Sequence, residues 1–259
     1  MPPSAPAFPP LIGLLGYGPA TARALRDLGY LAVPLPTEDL AGVLAACQTL
    51  RLSGVLVHPA HEEQMYAAVQ PDEAARRAGR VDAVALPLGA LAAGPQGTYT
   101  LTEALSDAVA ATHYAARGAS ALLIGHGADL AAVMPLTRLG FTQVGFVADS
   151  LPAAERLSRE VPVGTATYAL SRRDPALQTL AERADLIVVT GGTLPAGVLQ
   201  PYHTLLDLTG RLPLGSATRL ELGELPGLRL SQQLLHITGQ RLHAGALDQL
   251  VQAVQGERG

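Results

Sequence analysis

Ala121-Leu122-Leu123-Ile124-Gly125-His126-Gly127-Ala128-Asp129-Leu130 is an apolar run that ends in a glycine turn and continues with helical spacing. A run this short, uncharged throughout and closed at once by glycine, reads as a parallel strand buried on both faces, with a helix after the turn. The same strand-then-helix pattern recurs on both sides of it, which is the signature of βα units folding onto parallel sheets. Upstream, strands are expected at 11–16, 30–35, 54–57 and 81–86. Helices are expected between them at 21–28, 37–50, 62–69 and 72–78. Thr37 and Asp39 stand at the start of the second of these helices, ahead of Leu40, Val43, Leu44 and Cys47 at three-to-four spacing. Downstream, a helix over 129–139 precedes strands at 143–147, 164–168, 185–190 and 204–208. A short strand at 227–230 and a closing helix over 232–254 complete the pattern. An uncharged Gly/Ala/Pro stretch from Gly89 to Gly97, followed by an amphipathic helix over 102–117, marks a domain boundary at mid-chain.

Composition narrows the function classes. The chain has 259 residues, 48% of them hydrophobic, enough for one large core or two modest ones. Its one cysteine, Cys47, excludes an intrachain disulfide and reads as a buried, inert thiol in an intracellular protein. The start, MPPSAPAFPP, is proline-rich and has no positive charge leading an apolar core, so residues 1–10 are expected to be a flexible leader on a cytoplasmic protein. No apolar run approaches the roughly 20 residues of a membrane span. A net charge of −4, three Phe and no Trp offer neither a phosphate-binding stripe nor a stacking platform, so nucleic acid is not an expected partner. All 18 basic residues are arginine. Any mechanism that needs a lysine ammonium or a Schiff base is therefore excluded.

The glycine turn after the 121–125 strand can bring backbone N–H groups and a helix end close to a pyrophosphate, and Gly125 and Gly127 are the candidate cofactor-binding glycines. The third glycine of the usual dinucleotide fingerprint is missing. Asp129 stands there instead, where as an N-cap it satisfies the donors a phosphate would use. At the end of the next strand, Asp149 can accept hydrogen bonds from the ribose hydroxyls of NAD and would repel the extra phosphate of NADP. The other reading of Asp149-Ser150 is a plain helix cap, and both stay open. Thr190-Gly191-Gly192-Thr193, after the 185–190 strand, can approach a nucleotide with its backbone or serve as a simple turn.

Several segments, in order, resemble the shikimate dehydrogenase family. Gly54-Val55-Leu56-Val57-His58-Pro59-Ala60-His61-Glu62-Glu63 is similar to the family's Gly-Phe-Asn-Val-Thr-Ile-Pro-His-Lys-Glu, and Gly79-Arg80-Val81-Asp82-Ala83-Val84 to its Gly-Ala-Val-Asn-Thr-Val. Gly97-Thr98-Tyr99-Thr100-Leu101 sits where the family has Gly-Tyr-Asn-Thr-Asp. The tail from Gly227 to Gln240 resembles its closing Gly-Leu segment and substrate-facing glutamine. The resemblance implies an α/β protein with an N-terminal substrate domain, 11–101, on which the closing helix, 232–255, packs back. It also implies a C-terminal Rossmann-like dinucleotide-binding domain over 102–231.

The departures fall on the working residues. The family's catalytic lysine corresponds to Glu62 and its aspartate to Leu101, and neither can stabilise an alkoxide or exchange a proton in the same way. The Ser-x-Ser pair that holds the substrate carboxylate is replaced by the shorter Gly16-Tyr17-Gly18-Pro19-Ala20-Thr21, and Asn-Arg-Thr after the second Rossmann strand by Ala148-Asp149-Ser150. The substrate-cleft candidates are His58, His61, Asp82, Tyr99 and Gln240. The cofactor candidates are Gly125, Gly127, Asp149, Thr190 and Gly191.

His58, His61, Glu62 and Glu63 are dense in potential ligands but match no metal signature, so no metal is assigned. No Gly-x-Ser-x-Gly elbow points to a hydrolase. His236 and His243, seven apart in the closing helix, are expected on one side of it.

The expected function is a divergent family member without shikimate:NADP oxidoreductase activity that binds a small ligand or partner in the interdomain cleft, as a monomer or homodimer. The alternatives are an active NAD(P)-dependent oxidoreductase in which Glu62, His61, Asp82 or Tyr99 handles the proton, and an assembly subunit. NAD or NADP is the expected cofactor, Asp149 favouring NAD, with loss of dinucleotide binding as the degenerate case.

Overall fold

The computed structural model describes residues 9–87, 94–212 and 217–257. Residues 1–8 of the proline-rich start and most of the 89–97 stretch lie outside the described residues. The chain divides into two compact units, Met1–Ala104 with Glu224–Gly259, and Leu105–Gly223.

The first unit begins β1 (Leu11–Leu15), α1 (Pro19–Asp27), β2 (Leu31–Leu35), α2 (Leu40–Thr49), β3 (Gly54–Val57). After a 3-10 turn at Pro59–His61 come α3 (Glu62–Ala68), β4 (Gln70–Pro71), α4 (Glu73–Ala78), β5 (Ala83–Ala85) and β6 (Gln96–Thr98). Among the described residues these strands form one sheet ordered β2-β1-β3-β5-β6-β4. β1 runs parallel to both β2 and β3, whereas β5 is antiparallel to β3 and β6. α2 starts at Asp39, two residues later than Thr37, because the Asp39 carboxylate accepts from Gly42 N at 3.2 Å. α4 is closed at both ends by local chemistry: Asp72 accepts from Ala75 N at 2.8 Å, and Gly79 ends it at φ +65, a conformation glycine adopts without cost.

α5 (Leu101–Ala111) leads into the second unit, with β7 (Ser120–Ile124), α6 (Gly127–Ala132), a 3-10 turn at Met134–Leu139, β8 (Gln143–Ala148) and α7 (Leu151–Ser158). There follow β9 (Ala166–Ser171), α8 (Ala176–Ala181), β10 (Leu186–Val189), β11 (Thr204–Asp207) and β12 (Thr218–Arg219). All their pairings are parallel and the order is β9-β8-β7-β10-β11-β12. That is the doubly wound Rossmann order, which reverses direction between β7 and β10. Leu122, Ile124, Val147, Ile187, Val189 and Leu205 are buried in the core on which this sheet rests.

The chain then returns to the first unit. Residues 227–230, read as a strand, are instead the start of α9 (Leu225–Thr238): Pro226 sits in its first turn, and Leu230, Leu234 and Ile237 recur at helical spacing on the buried face. The closing helix is not continuous, because Gly239, at φ +71, ends α9. A 3-10 turn at Ala244–Leu247 and α10 (Asp248–Gly256) follow. His236 and His243 therefore do not share a helix face. Leu230, Leu234, Ile237, Leu247, Leu250 and Val254 join Ile12, Leu14, Leu25 and Leu56 in one core. No helix of the described residues is long and apolar enough to cross a membrane.

Candidate functional site

In the first unit, the ends of β3, β5 and β6 bring Glu62, Asp82 and Tyr99 together around a residue the sequence reading passed over, Arg229 of α9. β3 and β5 pair, so Val57 N donates to Asp82 O at 3.1 Å, and Val81 N donates to the Glu62 carbonyl at 3.0 Å. The Arg229 guanidinium then reaches both acids. Its Nη2 is 2.6 Å from Glu62 Oε1 and 2.8 Å from Asp82 Oδ2, and its Nε donates to Asp82 Oδ2 at 2.9 Å. The cation also sits 5.5 Å from the Tyr99 ring centroid, close enough for a cation–π contact.

All of this is nearly dry: the side chains of Glu62, Asp82 and Arg229 are 5%, 0% and 12% exposed. Asp82 is further held by Thr100, whose N–H and hydroxyl donate to its two oxygens at 2.9 and 2.8 Å, while Gln233 donates to its backbone carbonyl at 3.3 Å. Burial raises the pKa of Glu62, and Asp82 adds to the rise against the opposing pull of Arg229. Burial alone would lower the pKa of Arg229, but Asp82 and Glu62 together raise it, so this cation stays charged. Burial pushes the Tyr99 hydroxyl up to about 12, which makes it a poor proton donor near neutrality.

The other cleft candidates lie elsewhere. His58 accepts from Ala60 N through Nδ1 at 3.2 Å and meets Tyr17 edge-on, and the His61 ring packs beside Gly16. Glu63 pairs loosely with Arg80 at 3.5 Å. The four side chains of the apparent ligand cluster thus have separate partners. Leu101 opens α5 as a half-buried hydrocarbon. Gln240 is exposed beyond the end of α9, where Tyr30 donates to it at 3.4 Å, and it does not join Glu62, Asp82 and Tyr99.

The loop before α1 is filled from within. Glu257, at the end of α10, accepts from Gly18, Ala20 and Thr21 N–H groups at 2.8, 2.9 and 3.2 Å, and from the Thr21 hydroxyl at 2.6 Å. Nothing in the tail sequence marks Glu257 as a cap, because its partners lie at the other end of the chain.

In the second unit, Gly125 lies so close to Thr190 that a Cβ there would run into the threonine hydroxyl. The N-cap of α6 is His126, not Asp129, which sits in the first turn. His126 instead turns its Nδ1 to Asp149, 2.9 and 2.7 Å from the two carboxylate oxygens. Arg172 donates to the same carboxylate through Nε at 3.2 Å. Of the pair Asp149-Ser150, Ser150 occupies the N-cap position of α7 though without a side-chain bond, and Asp149 is engaged by His126 and Arg172. The His126 hydrogen bond is the largest of the effects on Asp149 and, with Arg172, lowers its pKa. Arg172 also donates to the carbonyls of Gly191 at 2.6 Å and Thr193 at 3.4 Å.

No family model matches the chain. Shikimate dehydrogenase (NADP(+)) of Brucella abortus (strain S19) is 32% identical over 191 residues, which is 71% of this chain and 64% of that protein. The chain thus spans just under two thirds of the length of this relative. Two solved structures share the fold. One is shikimate 5-dehydrogenase from Listeria monocytogenes in complex with shikimate and NAD (TM-score 0.68, 16% identity, 96% of this chain and 99% of that one). The other is quinate dehydrogenase from Corynebacterium glutamicum in complex with NAD (TM-score 0.69, 16% identity, with the same coverage of both chains).

Proposed function

Because the chain belongs to the shikimate dehydrogenase family, we propose that it is a small-ligand-binding member that does not oxidise shikimate with NADP. One observation carries this reading: Glu62, which the resemblance sets at the position of the family's lysine, is locked with Asp82 onto the buried Arg229. Oxidation of a hydroxyl to a ketone needs a group that takes the proton while hydride leaves for the nicotinamide. Glu62 has its Oε1 on a guanidinium, burial pushes the Tyr99 hydroxyl up to about 12, and Leu101 has no proton to exchange. Asp82 is fully buried and spends both oxygens on Thr100 and Arg229.

The loop that holds the substrate carboxylate in the family, by the resemblance drawn above, here carries the Glu257 carboxylate. A second carboxylate there would have to displace it. In the second unit, the doubly wound order and the close-packed turn at Gly125 support a crevice for a nicotinamide dinucleotide at the carboxyl ends of the strands. The unit is accordingly read as the dinucleotide-binding half. Asp149 does not set a preference for NAD by its charge alone, since the Arg172 guanidinium pairs with it.

The test is a turnover assay of the purified chain with shikimate and quinate, each with NAD and with NADP, following the absorbance of the reduced nicotinamide. The expected outcome is no turnover with any pair. Turnover of shikimate with NADP by the unaltered chain would sink the reading, and its loss or survival in Glu62→Gln and Tyr99→Phe would show whether either residue handles the proton.

A further inference from the structure

Arg172 is the first residue beyond β9, the outermost strand of the second sheet, yet its guanidinium does not stay at that edge. It meets Asp149 beyond β8, then the carbonyls of Gly191 and Thr193 beyond β10. In the order β9-β8-β7-β10, a side chain with partners beyond both β8 and β10 lies across the carboxyl end of β7, where the Gly125–Gly127 turn sits.

His126 closes the same gap from the turn. Its Nδ1 holds Asp149, and its ring lies against Gly191, where an added Cβ would come within 2.7 Å of Cδ2. Gly192, at φ +79, presents no side chain to the guanidinium, and a Cβ there would collide with it. Loops after four strands are thus tied together over the point where the strand order reverses. In open α/β sheets that point is where ligands bind.

We propose that His126, Asp149 and Arg172 form a clasp that gates this crevice, and that a nicotinamide dinucleotide enters only when Arg172 swings off the Gly191 and Thr193 carbonyls. The proposal rests on the reading of this unit as the dinucleotide-binding half. The clasp is built to open. The Asp149 and His126 side chains are 56% and 50% exposed, and ion pairs this wet contribute little to stability. Only Arg172, 17% exposed, is well covered. Arg172 is therefore the residue that controls dinucleotide affinity, and its removal has the opposite sign from the removal of a phosphate-binding arginine.

Calorimetric titration of the full chain with NAD and with NADP reads that sign. Arg172→Leu keeps the aliphatic stem and abolishes the clasp; it is expected to bind both dinucleotides about tenfold more tightly than the unaltered chain, because apparent affinity scales with the open fraction. Asp149→Asn loosens the other end while keeping the guanidinium, and is expected to tighten binding in the same direction. It carries the test alone should Arg172→Leu not fold, which a thermal melt of each variant checks. Weaker binding by the variants overturns the proposal, since Arg172 would then be a phosphate receptor. Equal affinities, or no binding by any of the chains, overturn it as well, because the clasp would then not be what limits entry. Weaker or equal binding with no turnover loses the gate and keeps the functional reading, whereas no binding by any of the chains also removes the dinucleotide-binding half.

Discussion

Arg229 serves two acids at once, and at the scale of single residues this decides the chemistry of the first unit. Removing one partner from a buried ion group leaves the others charged and unpaired, at a cost of about 3–5 kcal/mol. Arg229→Met is expected to lose about that much in chemical denaturation, because Glu62 and Asp82 would face each other without a cation. A loss under 1 kcal/mol would mean that water reaches the acids. Glu62 makes a second, pH-resolved prediction. Its folded pKa is raised, so its contribution to stability is full below the unfolded value of about 4.3 and is lost as pH rises through the folded value. Measured by thermal melts from acid to neutral pH, the unaltered chain is expected to lose stability relative to Glu62→Gln. A difference that does not change with pH would place the Glu62 pKa at its ordinary value.

The proposed placing of Glu62 and Leu101 at the family's lysine and aspartate positions rests on short segments of the sequence. The partner of Glu62 could not be read from them. The one available signal was an arginine between Leu228 and Leu230 on what proved to be a buried helix face. A charge inside an apolar run asks for a buried counter-charge. Treating 227–230 as a strand hid that question.

Secondary-structure elements are joined here by contacts distant in sequence. α1 begins with Pro19 and has no side-chain cap of its own, and its first N–H groups are satisfied by Glu257, more than 230 residues away. Glu257→Ala is expected to cost about 1 kcal/mol, the usual worth of a helix cap. Hydrogen exchange should show the loss at Gly18–Thr21 first, and unchanged protection there would mean that water replaces the carboxylate fully. The strand before Gly125 was foreshadowed by its apolar run, whereas the break of the closing helix at Gly239 was read as continuous helix. A helix period persists through a glycine in sequence, whereas a φ of +71 is decided only when the next segment finds a place to pack.

For the whole molecule, the first unit is built from both ends of the chain. Its core takes Leu230, Leu234, Ile237, Leu247, Leu250 and Val254 from the last segment. A chain ending before Glu224 is expected to lose cooperative unfolding of the first unit and to expose that apolar face, read as dye binding and as loss of amide protection in β1 and β3. Retained protection in those strands would show that residues 9–104 hold their core unaided.

The sequence alone determined the α/β class, the parallel second half and the exclusion of lysine chemistry. These follow from residue identity and local periodicity, which the chain carries wherever it folds. Only the tertiary structure decided that Glu62 and Asp82 share Arg229, that Glu257 occupies the loop before α1, and that Arg172 crosses the sheet to Gly191. Each of these pairs is far apart in sequence and close in space. A charge selects its partner by distance and desolvation, and folding alone supplies both.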